Sequence, residues 1–307
     1  MIARQARKEG GAMGKIEAQG LPGYELALQD AVAGAAGEAC PPQLGRALHY
    51  AVFPGGARVR PQLCMAVAAA NGGGDAALTG AAAAAIELLH CASLVHDDMP
   101  CFDNASERRG KPSVHQVFGE QLALLAGDAL IVAAFETLGR AAGAGDPARL
   151  PALLAVIAEG VGAPHGICAG QAWECEPRVN LERYHRAKTG ALFIAATAAG
   201  AVVSGGDVAA WRRLGDCIGH SYQVADDILD AAAEASEIGK PTGQDEVHGR
   251  PSAVRSLGLD GAVAHLKALV DASVEAVPPC AGREQLQQLV RNQSRRFLPR
   301  GLAGQAA

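Results

Sequence analysis

Two aspartate clusters, His96-Asp97-Asp98-Met99-Pro100-Cys101-Phe102-Asp103 and Asp226-Asp227-Ile228-Leu229-Asp230, stand out in an otherwise alanine-rich chain. The first is a DDxxxxD pattern that closes a strongly apolar stretch; the second is a DDxxD pattern. Carboxylates beside apolar surface are costly unless they are paired or hold a cation. On a helix, Asp226 and Asp230 stand at i and i+4, about 6 Å apart along the axis, on one face where like charges repel. A cation between them removes that repulsion. Mg²⁺ suits the pattern, because it takes oxygen ligands, keeps waters and bridges carboxylates to substrate phosphates. Neither cluster has the alternating ligands and central glycine of an EF-hand loop. Taken singly, either cluster also reads as a solvated acidic face. Two of them on apolar segments, Asp226 lying roughly 130 positions after Asp97, point to a shared metal site.

Basic residues gather near these clusters. Arg108-Arg109-Gly110-Lys111 follows the first and Gly239-Lys240 the second, with Lys188-Thr189 between them and Arg58-Val59-Arg60 upstream. Arginine grips phosphate oxygens in a bidentate fork and lysine acts as a point charge. The set reads as a binding surface for phosphate-bearing substrates, although any one of these residues could equally be an exposed surface charge.

Helices must carry these groups. The chain has 307 residues, is 49% hydrophobic and only 4% aromatic, and carries a net charge of −5. Alanine-rich, β-branched-poor composition favours closely packed helices, and a net negative charge argues against nucleic acid as a partner. Helical patterning is expected over residues 24–38, 43–52, 59–70, 75–98, 120–141, 151–162, 167–175, 181–204, 207–231, 259–276 and 284–297. Asn71-Gly72-Gly73-Gly74 forms a break, and a turn is expected from Ala141 to Asp146. No strand-like alternation, repeat or compositional boundary is visible. The expectation is an all-α bundle in one domain, residues 21–307, after a disordered leader over 1–20. The longest apolar run, Ala191 to Val203, falls short of the ~20 residues of a membrane span. The eight cysteines include no C-x-x-C pair and are expected to be reduced thiols packed as small hydrophobes. With no secretory signal visible, the expected location is cytoplasmic.

From about residue 44 to 258 these segments resemble the trans-prenyltransferases, or polyprenyl synthases. The resemblance rests on Leu88-Leu89-His90-Cys91-Ala92-Ser93-Leu94-Val95-His96-Asp97-Asp98, on Gln223-Val224-Ala225-Asp226-Asp227-Ile228-Leu229-Asp230, and on Gly119-Glu120 with Ala126-Gly127-Asp128-Ala129-Leu130. It implies an isoprenoid-synthase helical bundle with a central active-site cavity, a homodimer, and about three Mg²⁺ ions. By that similarity Asp97, Asp98, Asp103 and Asp226 bind metal, and Asp227, Lys188 and Lys240 complete the catalytic set. Arg108, Thr189, Gln223 and Asp230 are expected on the allylic diphosphate (dimethylallyl, geranyl or farnesyl). Arg60, His90 and Arg109 are expected on isopentenyl diphosphate. His90, Leu94 and Asp97 form one helical stripe, and a core histidine is the alternative reading of His90. Two positions depart from the family pattern. Ala57 stands where Gly-Gly-Lys-Arg has lysine, and Arg250 where lysine is usual.

The segments Phe53–Pro61 and Gly170-Gln171-Ala172-Trp173-Glu174-Cys175-Glu176 resemble the carotenoid-pathway geranylgeranyl diphosphate synthases of photosynthetic bacteria. Small residues at Ala92 and Ser93 are expected to leave room for a C20 product. The alternative floor for the growing chain is Leu89 or Phe118. Farnesyl diphosphate synthesis, a cyclase or head-to-head enzyme, and a non-catalytic partner subunit are the competing readings.

Overall fold

The computed structural model describes residues 23–53, 56–232 and 252–296. Helices make up most of it. In chain order they are α1 (Gly23–Ala35), α2 (Pro42–Val52), α3 (Val59–Ala70), α4 (Ala76–Asp97), α5 (Val114–Phe118), α6 (Glu120–Ala144), α7 (Leu150–Val161), α8 (Ile167–Ala172), α9 (Leu181–His185), α10 (Ala191–Ser204), α11 (Val208–Ala232), α12 (Ala253–Glu275) and α13 (Arg283–Arg296).

α4 is the central post. It starts where the Asp75 side chain accepts the Leu78 amide at 3.0 Å, an N-cap that satisfies one of the helix's orphan donors. Every residue from Leu78 to Leu89 is buried, because α1, α3, α6 and α10 all pack around it. Alanine at positions 81–85 lets these neighbours approach closely, and the larger Ile86, Leu88 and Leu89 fill what remains. α10 is more enclosed still and packs against α3, α7 and α11.

Several local features differ from the sequence expectation. α6 runs to Ala144, past the turn expected at Ala141, with Ala142 buried and with Gly139 and Gly143 carried inside the helix despite their propensity cost. Glu107–Arg108 and Lys111–Pro112 form a two-residue antiparallel hairpin. Its turn residues Arg109 (φ 57) and Gly110 (φ 72) are both left-handed, as a tight two-residue turn requires. α12 starts at Ala253, capped by the Ser252 hydroxyl on the Arg255 amide, and kinks at Gly258 (φ 71); only the part after the kink was expected. Cys64 and Cys91 are buried, and burial pushes both thiols up to about 12. Cys101, Cys168 and Cys175 are instead exposed, which corrects the expectation of packed thiols for these three.

Three helical stretches, Ala76–Asp97, Glu120–Ala144 and Glu182–Ser204, are long and apolar enough to cross a membrane by length and composition. In the first and third, 83% and 78% of the most apolar window lies inside the fold, so their apolar faces are core. For Glu120–Ala144 the share is 44%.

Candidate active site

The C-terminal end of α4, the hairpin, α8, the α9–α10 junction and α11 surround a cavity of about 480 Å³. How each reaches it follows from local chemistry. α4 stops at Asp97, and the chain then curls back on itself: the Asp103 amide bonds to the Asp97 carbonyl at 3.0 Å, and the Asn104 amide to Met99 at 3.0 Å. This turn places both aspartates on the cavity although only Asp97 is helical. The hairpin brings Arg108 and Arg109 to the lining as well, with Arg108 Nη2 3.6 Å from Asp97 Oδ2.

Between α9 and α10 the helix takes a π turn, Arg186–Gly190. Lys188 and Thr189 sit in it and both line the cavity. Close approach makes room for the turn. A Cβ on Gly219 of α11 would stand 2.6 Å from the Gly190 Cα, and one on Gly170 of α8 would collide with the Lys188 backbone. α11 then presents Tyr222, Gln223, Asp226 and Asp230 along one face.

Carboxylate oxygens of Asp97, Asp103 and Glu174 lie within 4.8 Å of one another. Lys188 Nζ donates to Glu174 Oε1 at 2.6 Å and to Asp97 Oδ1 at 3.4 Å. Tyr184 donates its hydroxyl to the same Glu174 oxygen at 2.6 Å. Sequence reasoning assigned Glu174 no role, although it lies in the Gly170–Glu176 segment. It lies in the short turn Trp173–Cys175 that follows α8, and Gln171, one turn earlier, and Glu176, two residues on, were the available signals.

Asp98 and Asp227 are placed differently from expectation. Neither lines the cavity. Asp98 is 2% exposed and paired to Arg108 through Nε at 2.9 Å and through Nη2. Burial pushes its carboxyl up, while the Arg108 hydrogen bond acts to lower it. Asp227, 3% exposed, accepts the Gln223 amide at 2.8 Å and the Ala253 backbone N–H at 2.7 Å. Burial likewise raises its pKa. Their positions explain this: a residue one step along a helix from a cavity-facing one is turned about 100° away. Asp98 thus holds Arg108, and Asp227 holds both the first turn of α12 and Gln223, which in turn accepts the Thr189 hydroxyl at 2.6 Å.

At the other end of the cavity Arg60 Nη1 meets His90 Nε2 at 3.4 Å. Arginine has no acceptor, so the His90 Nε2 is the acceptor and its proton resides on Nδ1. Burial, with Arg60, Arg109 and Arg108 nearby, pushes the His90 pKa well below its ordinary 6.5. Arg60 is 9% exposed, lies 4.4 Å over the Phe193 ring, and its Nε has no hydrogen-bond partner. A buried donor left unsatisfied beside a cavity is suited to an anion.

Ala92, expected to floor the product pocket, is 1% exposed and absent from the lining, whereas Ser93 is part of it. The helix geometry accounts for this. Ala92 stands two residues from His90, about 200° around the axis, and Ser93 three, back near the same side. Leu89 and Phe118 do not line the cavity either. Lys240, Arg250 and the leader over 1–20 lie outside the described residues.

Residues 41–285 match the profile of the polyprenyl synthetase family. The chain belongs to that family. The geranylgeranyl diphosphate synthase of Cereibacter sphaeroides is 51% identical over 279 residues, 91% of this chain and 96% of that one. The enzyme of the same name from Rhodobacter capsulatus is 50% identical over 266 residues, 87% of this chain and 92% of that one. The Helicobacter pylori geranyltransferase, solved with magnesium and isoprenyl diphosphate, matches with a TM-score of 0.75 at 29% identity, covering 88% of this chain and 95% of that one. As a polyprenyl synthetase the chain acts on isoprenyl diphosphates. Its acidic triad of hard oxygen donors fits Mg²⁺, and Asp226 and Asp230 face the same space from α11.

Proposed function

We propose that this polyprenyl synthetase condenses isopentenyl diphosphate head to tail with dimethylallyl, geranyl and farnesyl diphosphates, ending at geranylgeranyl diphosphate. The observation that carries this reading is the division of one cavity into two anion-binding ends: carboxylates with Lys188 at one, and Arg60, Arg109 and His90 at the other. A cyclase acting on one diphosphate has no use for the second end. The half-identical relatives named geranylgeranyl diphosphate synthase support C20 over C15.

Asp97, Asp103, Glu174 and Asp226 would hold about three Mg²⁺ ions, whose role when bound is to neutralise charge on the leaving diphosphate. Lys188, Arg108 and, from outside the described residues, Lys240 add fixed positive charge to the same group, a preorganised field that needs no rearrangement as the allylic C–O bond breaks. Thr189, Gln223 and Asp230 orient the diphosphate. Arg60, Arg109 and neutral His90 hold isopentenyl diphosphate so that its alkene faces the allylic carbon. The new C–C bond forms there, and the released diphosphate takes the proton lost. Apolar Leu94, Ile167 and Leu192 keep water from the cation. The growing tail passes Ser93.

Chromatography of dephosphorylated products with each allylic primer and Mg²⁺ tests the reading. A C20 alcohol is expected; a C15 product keeps the reaction and rejects the chain length, and no product from the protein alone rejects the reaction.

We also propose a homodimer in the cytoplasm. α6 supports it: Leu124, Leu125 and Val132 are 47%, 51% and 57% exposed on a helix apolar enough to need cover. Leu125→Arg is expected to convert a dimer to a monomer in light-scattering chromatography; an unchanged mass places the interface elsewhere.

The lowered His90 pKa predicts acid sensitivity. Below pH 6.5 the unfolded chain protonates this histidine and the folded one does not. Stability is therefore full above that pH and falls as pH drops, with a limiting slope of about 1.4 kcal/mol per unit. His185, half-buried near His220 and pushed down to about 4 by desolvation, adds a parallel loss. Urea midpoints at pH 7 and 5 are expected to converge less in wild type than in His90→Gln; equal pH dependence in both rejects the assignment.

A further inference from the structure

Arg58 faces away from the cavity that Arg60, two residues on, lines. It precedes α3 and takes a left-handed backbone, φ 52, which a residue with a side chain adopts only when its surroundings enforce it. The enforcement is visible. Arg58 is 7% exposed, and its guanidinium is committed on three sides: Nη1 to Glu87 Oε1 at 2.6 Å, Nη2 to the Val52 carbonyl at 2.8 Å, and Nε to Glu25 Oε1 at 3.2 Å. Glu87 is 2% exposed in the middle of α4, the central post of the fold.

Glu87 and His90 stand at i and i+3 on α4 and so share a face. Arg58 and Arg60 stand two apart at the start of α3. The Arg58–Glu87 and Arg60–His90 contacts are therefore two rungs, one helical turn apart, between the same pair of helices. The inner rung is buried and saturated, and the outer one lies on the cavity with an unpartnered Arg60 Nε. An arginine fork discriminates by geometry, and displacement of about 1 Å removes much of its value. A buried ion pair stabilises little more than apolar residues of equal volume would, and a better-attested role for it is holding register.

We propose that Arg58 and Glu87 are positioning residues for the isopentenyl diphosphate end of the cavity, holding the start of α3 in the one register that presents Arg60 beside His90. This rests on the assignment of Arg60 to isopentenyl diphosphate made above. It predicts a split that a purely structural pair would not produce: a change in the Michaelis constant for one substrate alone.

The test compares three variants in steady-state kinetics with isopentenyl diphosphate and geranyl diphosphate varied separately, and in thermal unfolding. The double variant Arg58→Met with Glu87→Leu replaces the pair by apolar volume, and Glu87→Gln keeps the shape if the double variant does not fold. Arg60→Lys reports on the cavity end itself. The expected result is a KM for isopentenyl diphosphate raised about tenfold or more in all three, with the KM for geranyl diphosphate and kcat of the two pair variants within about threefold of wild type. If only Arg60→Lys raises that KM, the positioning role is overturned and the assignment of the cavity ends stands. If Arg60→Lys leaves it unchanged, that assignment fails and the proposal with it. If the pair variants lower kcat and raise both KM values together, in step with lost thermal stability, the pair is structural only and the proposal is overturned.

Discussion

Asp97→Ala is expected to lower turnover by about a thousandfold, the largest loss for any single substitution in this chain. Three interactions converge on that one carboxylate. It belongs to the triad with Asp103 and Glu174, it faces Lys188 at 3.4 Å, and it faces Arg108 at 3.6 Å. Its removal weakens cation binding and takes the second acidic partner from Lys188 and Arg108, which stay anchored on Glu174 and Asp98. Asp98→Asn should cost far less, about tenfold, since Asp98 acts by holding Arg108 and an asparagine oxygen retains part of that bond. Rapid-quench measurement of allylic diphosphate consumption in both variants checks the contrast. Equal losses would mean that Asp98 reaches the substrate in the working state; a loss under tenfold at Asp97 would remove the triad from the reaction.

Lys188→Ala carries the second largest expected effect, a fall in turnover of about 10²-fold from the missing charge on the leaving group. A less obvious consequence comes with it. In this structure Lys188 lies between Glu174 and Asp97 and serves as their counter-cation. Without it the carboxylates repel, and a divalent ion relieves them more. Affinity for Mn²⁺ in the absence of any diphosphate should rise about tenfold, the equivalent of one modest charge interaction. Electron paramagnetic resonance of free Mn²⁺ during titration measures this directly. Reduced or unchanged affinity would show that Lys188 does not compete with metal for these oxygens.

Much of this site was legible in the residues. The stripe His90–Leu94–Asp97 needed only the helical period, and all three residues line the cavity. The i, i+4 pair Asp226 and Asp230 was legible for the same reason. Properties set by rotation within a turn were less so. Asp98, Asp227 and Ala92 each neighbour a cavity residue, and a motif written as a string does not say which of two adjacent letters faces inward. The hairpin left no alternation because its strands are two residues long, and only Arg109-Gly110 signalled it. Glu174 was missed because its partners Tyr184 and Lys188 arrive from a different helix. The α6 extension and the Gly258 kink depended on packing and on one backbone angle, neither of which composition encodes.

The π turn at Arg186–Gly190 has a consequence for how the gene can change. Such a turn is an α-helix carrying one surplus residue. Deleting any residue within it would give a regular, more favourable helix with the flanking turns near their present register, because the wide turn is what absorbs the surplus residue; the cost would fall on the side chains of the turn itself. Lys188 and Thr189, neighbours inside that turn, could not then both face the cavity, since a regular helix sets adjacent residues about 100° apart. Point substitutions here can be sampled one at a time, but the reading length of this segment is locked, and chimaeras joined with relatives inside it should tolerate crossovers only where the residue count is preserved.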